Sequence, residues 1–176
     1  MIVEDWIIWV VAAVITAASM EPWSRIVHRS VWHGRLSFIH DSHHREDGKG
    51  WEANDWLSLA HAPVAAGFII NGSLGAPGLL REVLYGVGFG MTLFGLAYVI
   101  VHDGLIHKRL PVQFLARYRF FDRIARAHRV HHIKGHEPYG LFRGPHELRQ
   151  RHAGIVRAVV ASKRPTIAPA MAEAAD

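Results

Sequence analysis

The chain has 176 residues, of which 20% are charged and 50% are hydrophobic, and this balance excludes a disordered or fibrous protein. It carries 20 Lys and Arg and 15 Asp and Glu. It has no cysteine, which excludes disulfides, cysteine-ligated iron–sulfur clusters and a thiol nucleophile. The 14 histidines are several times the usual share and give the first indication of the chemistry.

Three long segments contain no Asp, Glu, Lys or Arg: Trp6–Met20, Trp56–Leu80 and Val83–Val101. The first is shorter than the roughly 20 apolar residues that span hydrocarbon, but its helix can continue through Trp23–Trp32. Because no basic residues precede it, we expect a retained anchor rather than a cleaved signal peptide.

The second segment contains two turn signals, at 71–73 and at 75–78. They predict one helix that ends near Ile70 and another that starts near Gly78 and runs through Val101. We therefore expect an all-α integral membrane protein with three transmembrane helices, or four if the second segment forms a helical hairpin.

Gly86 and Gly90 form a Gly-x-x-x-Gly pair within the third apolar segment. Small residues at this spacing let membrane helices approach closely. We favour this packing role over a slot for a flat ligand.

Charge placement predicts the orientation of these helices. Five of the 20 basic residues lie in Arg25–Lys49 and fourteen lie in Lys108–Arg164, whereas the extreme N-terminus carries Glu4 and Asp5. By the positive-inside rule the N-terminus faces out and both basic segments face the cytoplasm. We expect a multi-pass protein of the cell inner membrane and, because the basic charges flank apolar segments, no nucleic-acid partner.

The second basic segment is rich in arginine and aromatic residues over Val112–Tyr118 and Arg119–His132. This composition is typical of amphipathic helices that lie along a membrane interface. Residues 153–176 are mostly small or basic and have little to bury. We therefore predict a single membrane-embedded domain over 1–152 and a flexible cytoplasmic tail over 153–176.

Ten of the histidines form two copies of one pattern, H-x4-H followed by H-x2-H-H. The first copy comprises His28, His33, His40, His43 and His44. The second copy comprises His102, His107, His128, His131 and His132. Each copy begins where a membrane helix ends on the basic side, so three crossings bring the two copies together in a cytoplasmic cap.

The spacing indicates metal binding. In an α-helix, H-x2-H-H places its outer histidines one turn apart with the middle one beside them, so they can converge on one metal or bridge two. An H-x4-H pair diverges by about 140° in an α-helix, which predicts one ligand for each of two metals. Ten imidazoles shared by two ions give five each, and imidazole suits iron, zinc, copper and nickel.

The remaining histidines fit neither copy and are not expected to be ligands: His61, His136, His146 and His152. We predict that His61 is a packed or hydrogen-bonded helix residue.

Acidic residues accompany the histidines. Asp41 lies inside the first H-x2-H-H segment and Asp103 adjoins His102. A carboxylate that accepts the free ring N–H of a ligand histidine orients the ring and raises its basicity. Asp41 and Asp103 are therefore the candidate catalytic carboxylates, whereas Asp55 is equally well explained as a helix cap.

The histidine boxes resemble those of the membrane fatty acid hydroxylase/sterol desaturase superfamily over about Met20–Arg151. Within that superfamily the chain looks like the bacterial β-carotene hydroxylases. The segments that carry this resemblance are His28–His33, His40–His44, Glu52–Asp55, Val101–His107 and Ala127–His132.

The resemblance implies a membrane di-iron monooxygenase in which all ten box histidines hold two iron ions, with zinc as a substitute in purified protein. It implies O2-dependent hydroxylation of β-carotene, taken from the lipid phase, at carbon 3 of each β-ionone ring. β-Cryptoxanthin forms first and zeaxanthin second.

The resemblance also implies an external electron donor, a ferredoxin-type reductant. The chain itself offers no cysteine and no Gly-x-Gly-x-x-Gly turn after a strand. The basic segment Arg117–Arg129 can dock an acidic ferredoxin or bind the headgroups of anionic membrane lipid.

Two other functions remain open from the sequence. Another membrane di-iron oxidase, such as a carotenoid ketolase, sterol desaturase or lipid hydroxylase, has the same boxes. A non-catalytic membrane metal-binding protein is less favoured, since a transporter needs polar residues through the membrane depth and Val83–Val101 has none.

Overall fold

The computed structural model describes residues 3–45 and 50–162, and this part of the chain consists of helices and loops without a strand. The α-helices are α1 (Val3–Val27), α2 (Ser37–His44), α3 (Ala53–Leu59), α4 (His61–Leu74), α5 (Leu79–Tyr98), α6 (Arg119–Lys134) and α7 (Gly144–Ser162). Two π-helical segments continue α1 and α5, at His28–Arg35 and Val99–Ile106, and a 3₁₀ turn at Gln113–Arg117 precedes α6. The predicted all-α class is confirmed.

Three helical segments are long and apolar enough to cross a membrane: Trp6–Arg35, Ala53–Leu74 and Leu79–Ile106. Within 3–45 and 50–162 there is no fourth segment of this kind. The first helix continues through Pro22 and beyond, as predicted, so its short apolar run belongs to a segment of sufficient length.

Glycines on α5 set how closely the three long helices pack. A Cβ on Gly86 or Gly90 would overlap backbone carbonyl oxygens of α1, and one on Gly88 would lie 2.8 Å from the Ala65 carbonyl oxygen of α4. The backbones therefore approach one another over both faces of α5, which is how small residues hold membrane helices together. The predicted packing role of the Gly-x-x-x-Gly pair is confirmed.

The outward faces of these helices carry large apolar side chains. Val14, Ile70 and Leu96 are each more than half exposed. A continuous apolar surface of this kind indicates contact with lipid rather than with water.

At one end of the bundle, the π-helical segments meet α2, α6 and α7 to form a cap. Its apolar core is Val101, Ile124 and Leu141, packed against Tyr98, Ile106, Phe121 and Phe142. The amphipathic helix predicted for this region is α6, which buries Ile124 and Ala127 and exposes Arg123, Arg126 and Arg129.

The C-terminal part of the chain folds back on the cap as α7. The predicted tail of 153–176 begins inside this helix, which continues to Ser162, and residues 163–176 lie outside the described part of the chain. Glycine stands at 135 because the turn after α6 has a left-handed φ of 65°, which a side chain disfavours.

The packing of α5 predicts opposite effects for two glycines of the same helix. Gly90→Ala would force α5 away from α1 and should destabilise the protein by about 1–3 kcal/mol. Gly95→Ala meets nothing within 4 Å and should be neutral or slightly stabilising, since alanine is the better helix former. Thermal unfolding of detergent-solubilised protein, followed by circular dichroism, measures both. A Gly90→Ala midpoint equal to that of Gly95→Ala would contradict the close approach.

Candidate metal centre

The ten histidines of the repeated pattern converge in two sets at the cap end of the bundle. Site 1 comprises His28, His33, His40, His44 and His131, whose candidate ligand atoms lie within 4.8 Å of one another. Site 2 contains four histidines that meet the same limit: His43, His102, His107 and His128. His132 completes site 2, since its Nε2 lies 3.0 Å from His128 Nε2 and 3.1 Å from His43 Nε2.

The two copies of the pattern interlock. In α2, His40 and His44 belong to site 1 and His43 belongs to site 2. In α6 the assignment is reversed: His128 and His132 belong to site 2, and His131 belongs to site 1. Residues four apart share a helix face, whereas the residue between them is rotated by about 60–100°. The sequence left open whether an H-x2-H-H segment converges on one metal or bridges two. In the structure each segment bridges the two sites.

The prediction for the H-x4-H pairs was wrong. His28 and His33 both belong to site 1, and His102 and His107 both belong to site 2. The reason is that these segments are π-helical, so that hydrogen bonds run between residues five apart, as from the His107 N–H to the His102 carbonyl at 3.0 Å. In a π-helix residues five apart lie above one another, and such turns are frequent at functional sites.

The facing nitrogens of site 1 carry lone pairs. His28 Nε2 and His40 Nε2 are 3.0 Å apart. Both rings place their proton on Nδ1, because His28 Nδ1 donates to the Tyr139 carbonyl at 2.8 Å and His40 Nδ1 donates to Asn54 Oδ1 at 2.7 Å. Two unprotonated nitrogens at this distance repel each other unless a cation lies between them.

Site 2 contains a similar close pair. His102 Nε2 lies 3.1 Å from His43 Nε2, and it carries a lone pair because His102 Nδ1 donates to Asp103 Oδ1 at 2.8 Å. Among the described residues, the buried Nε2 of His107 finds no hydrogen-bond partner. Two imidazole nitrogens bound side by side at about 2.1 Å from one ion are about 3.0 Å apart. The residues of both sites therefore fit a transition-metal ion.

Burial keeps these rings neutral. It lowers the pKa of His40 and of His131 to about 3. Burial, together with repulsion from neighbouring rings, holds the pKa of His43 and of His128 well below the ordinary value. Neutral imidazole is the form that binds metal, so the sites can take up an ion at pH 7 without first releasing protons from these four rings.

A further acceptor orients a ring at site 1, where His131 Nδ1 donates to the His136 carbonyl at 2.8 Å. Holding Nδ1 in this way fixes which nitrogen faces the metal and the plane of the ring. At site 2, a carboxylate oxygen of Glu52 lies 3.5 Å from His43 Nδ1 without forming a hydrogen bond to it.

The two predicted carboxylates are placed differently. Asp103 lies against His102, in the position that the sequence predicts. Asp41 is exposed on α2, and over the described residues its side chain forms no hydrogen bond with a histidine ring. Asn54, which the sequence analysis did not select, accepts a hydrogen bond from the His40 ring instead. Asp55 caps α3 by accepting the Glu52 N–H at 2.8 Å.

The four other histidines lie outside both sites. His61 accepts a hydrogen bond from Trp23 Nε1 at 3.3 Å, consistent with the predicted structural role. The His136 ring contacts Arg151, and His146 and His152 are exposed on α7.

Glu147 of α7 links site 1 to α1. Its carboxylate accepts the N–H groups of Tyr139 at 3.0 Å and Gly140 at 3.2 Å, and it pairs with Arg25 Nε at 2.8 Å. Because the Tyr139 carbonyl receives His28 Nδ1, this network orients a site 1 ligand.

A second carboxylate, Glu21, supports the same loop from α1. Its Oε1 accepts the Arg143 N–H at 2.8 Å. A Cβ on Gly140 would lie 2.6 Å from Glu147 Oε1 and 2.9 Å from Glu21 Oε1, so a side chain there would displace both carboxylates. One signal was present in the sequence, since a carboxylate directly after a charge-free membrane segment is costly unless it has a role.

A small cavity lies between the two sites. It is lined by His28 of site 1 and His128 of site 2, and by Ser24, Trp32, Tyr98, Tyr139 and Leu141. Ser24, Trp32 and Tyr98 belong to membrane-spanning segments. The cavity volume of about 10 Å³ leaves room for one water molecule at most.

Comparison with known proteins gives one family and a consistent set of relatives. The fatty acid hydroxylase family matches residues 12–145. Beta-carotene hydroxylase 1, chloroplastic, of Capsicum annuum is 43% identical over 136 residues, which are 76% of this chain and 43% of that protein. Beta-carotene 3-hydroxylase 2, chloroplastic, of Arabidopsis thaliana is 42% identical over 137 residues, or 76% of this chain and 45% of that protein.

A bacterial relative matches over nearly its full length. Beta-carotene hydroxylase of a Paracoccus species is 35% identical over 154 residues, which are 82% of this chain and 92% of that protein. In contrast, the chain spans under half the length of the two plant relatives. No solved structure matches this chain significantly.

The Glu147 network predicts a stability effect that a neighbouring position lacks. Glu147→Ala removes a charged acceptor from two backbone N–H groups and leaves Arg25 unpaired, which should cost about 2 kcal/mol. His146→Ala, on the exposed side of the same turn, should leave stability unchanged. Thermal unfolding midpoints of the two solubilised variants provide the measurement, and equal midpoints would show that the network does not hold the loop.

Proposed function

The chain belongs to the fatty acid hydroxylase family, and from that premise we propose that it hydroxylates β-carotene at carbon 3 of each β-ionone ring. The products are β-cryptoxanthin and then zeaxanthin. The observation that carries the proposal is the convergence of ten imidazoles into two five-membered sets beside the ends of membrane helices. The names of the plant and bacterial relatives support the choice of substrate.

We assign one iron ion to each site, held by the five histidines of that site. When bound, the iron pair supplies O2 activation for attack on an unactivated C–H bond. Zinc can take the same imidazoles in purified protein.

The protein's own contribution is to bind, orient and exclude water. Asp103 and Asn54 fix the planes of the His102 and His40 rings through their Nδ1 atoms. Trp32 and Leu141 lie beside His28 and His128 and help to keep water from the two sites.

A long apolar substrate also explains why the catalyst is built on membrane helices. β-Carotene dissolves in the lipid phase, and the cavity borders residues of two spanning segments. We propose that the β-ionone ring enters from the bilayer while the polyene chain stays in lipid.

We assign the supply of electrons to a ferredoxin-type donor. These 176 residues contain no cysteine that could ligate an iron–sulfur cluster. The exposed face of α6 presents Arg123, Arg126 and Arg129 on the helix that carries His128, His131 and His132. A basic face next to the metal centre attracts an acidic partner, and anionic lipid headgroups compete for the same face.

Pigment analysis tests the proposed activity. A host that accumulates β-carotene should convert it to zeaxanthin through β-cryptoxanthin when it expresses this chain. Alanine at any one of the ten site histidines should abolish conversion, because an ion that loses a ligand no longer has the geometry that O2 activation needs. Asp103→Ala should retain activity reduced by about 10–100-fold.

The matched controls are His61→Ala, His146→Ala and His152→Ala, which should convert β-carotene normally at equal protein abundance in the membrane. A ketolated or desaturated product would overturn the proposed reaction. Normal zeaxanthin yield from two or more of the ten ligand variants would overturn the proposed site.

We further propose that the N-terminus faces out and that the metal centre faces the cytoplasm, in the inner membrane. The support is the concentration of basic residues at the cap end of the helices. Reporter fusions after Gly75, in the loop between α4 and α5, and after Arg151, in α7, should report opposite sides of the membrane. Identical reports from both fusions would contradict three crossings.

A further inference from the structure

The two metal sites have the same number of imidazoles but differ in what holds those imidazoles. At site 1 every identified Nδ1 acceptor is an uncharged oxygen: the Tyr139 carbonyl, the His136 carbonyl and the Asn54 amide. These contacts are short, between 2.7 and 2.8 Å, so the rings are firmly held, but no acceptor brings a negative charge.

At site 2 the identified Nδ1 acceptor is a carboxylate, that of Asp103. His102 Nδ1 donates to Asp103 Oδ1 at 2.8 Å, and His43 Nδ1 lies 3.5 Å from Glu52 Oε2. Arg109 balances Glu52 through its other oxygen, at 2.7 Å. Over the described residues no Arg or Lys pairs with Asp103, so no ion pair offsets its charge beside the His102 ring.

An imidazole that donates to a carboxylate is a more basic and more electron-rich ligand than one that donates to a carbonyl. The hydrogen bond itself is also stronger when the acceptor is charged. A carboxylate one ring away from a cation further attracts it, and burial weakens the screening of that attraction.

From this difference we propose that the two metal sites are inequivalent and that site 2 holds its ion more tightly than site 1. Asp103 is the main positioning residue for this effect and Asn54 is its uncharged counterpart. The inference rests on the proposed two-metal centre and adds an order to it: site 2 fills first and empties last.

The test is metal release from the full-length holoprotein in detergent, loaded anaerobically with ⁵⁷Fe²⁺ to two ions per chain. Excess ferrozine removes the iron, and absorbance reports the rate. Release should occur in two phases of equal amplitude whose rates differ by about tenfold or more. Mössbauer spectra recorded between the phases should show the loss of one of two doublets.

Two substitutions, one that removes a negative charge at site 2 and one that adds a negative charge at site 1, identify the site to which each phase belongs. Asp103→Asn keeps an acceptor oxygen beside His102 but removes the charge, and should speed the slow phase by about tenfold with the fast phase unchanged. Asn54→Asp adds a charge beside His40 and should slow the fast phase. Asp122→Asn on α6 changes a partly exposed carboxylate that pairs with Arg126 rather than with a site histidine, so it is the control and should alter neither phase.

The outcomes separate this inference from the proposed function. Release of both ions at one rate, or an Asp103→Asn protein in which only the fast phase changes, would overturn the inequivalence and leave the two-metal centre intact. Loading with fewer than two ions per chain would overturn the two-metal centre and this inference with it. The wild-type Mössbauer spectrum gives a result that does not depend on whether a variant folds.

Discussion

Imidazole nitrogens face one another across about 3 Å in this protein, unprotonated on both sides between His28 and His40, and the rest of the structure depends on that constraint. Lone pairs this close repel, so the arrangement needs a cation at each site and a scaffold that holds the rings until the cation arrives. Burial keeps the rings neutral, and acceptors at Nδ1 decide which nitrogen faces inward. Each of these features uses a different part of the chain, from α1 to α7.

The membrane helices supply the frame for this constraint. Close packing of α5 on α1 through Gly86 and Gly90 places the two π-helical segments at the same end of the bundle, because each segment directly continues one of these helices. Because α2 contributes His43 to site 2 and α6 contributes His131 to site 1, the metal sites link α2 to α6. The cap therefore closes over the ends of the helices, and the cavity between the sites lies beside the membrane-spanning segments.

Much of this architecture could be predicted from the sequence because the signals are local. Charge-free segments specify the three spanning helices, and turn residues at 75–78 separate the second from the third. The doubled histidine spacing identifies the ten residues that converge, since each copy follows the end of a membrane helix. Asp103 could be predicted because its neighbour in sequence is the ring that it holds.

Only the tertiary structure decided how the ten histidines divide between two sites. An α-helical backbone would point His28 and His33 in different directions, and the sequence spacing alone does not reveal that the backbone is π-helical. The π-helical backbone places both histidines in site 1. The acceptors at site 1 were equally hidden: the Tyr139 and His136 carbonyls belong to the backbone, which every residue has, and Asn54 rather than Asp41 reaches His40 because α3 packs against α2. Sequence therefore determines which residues bind, and the contacts between distant segments determine what each bound residue touches.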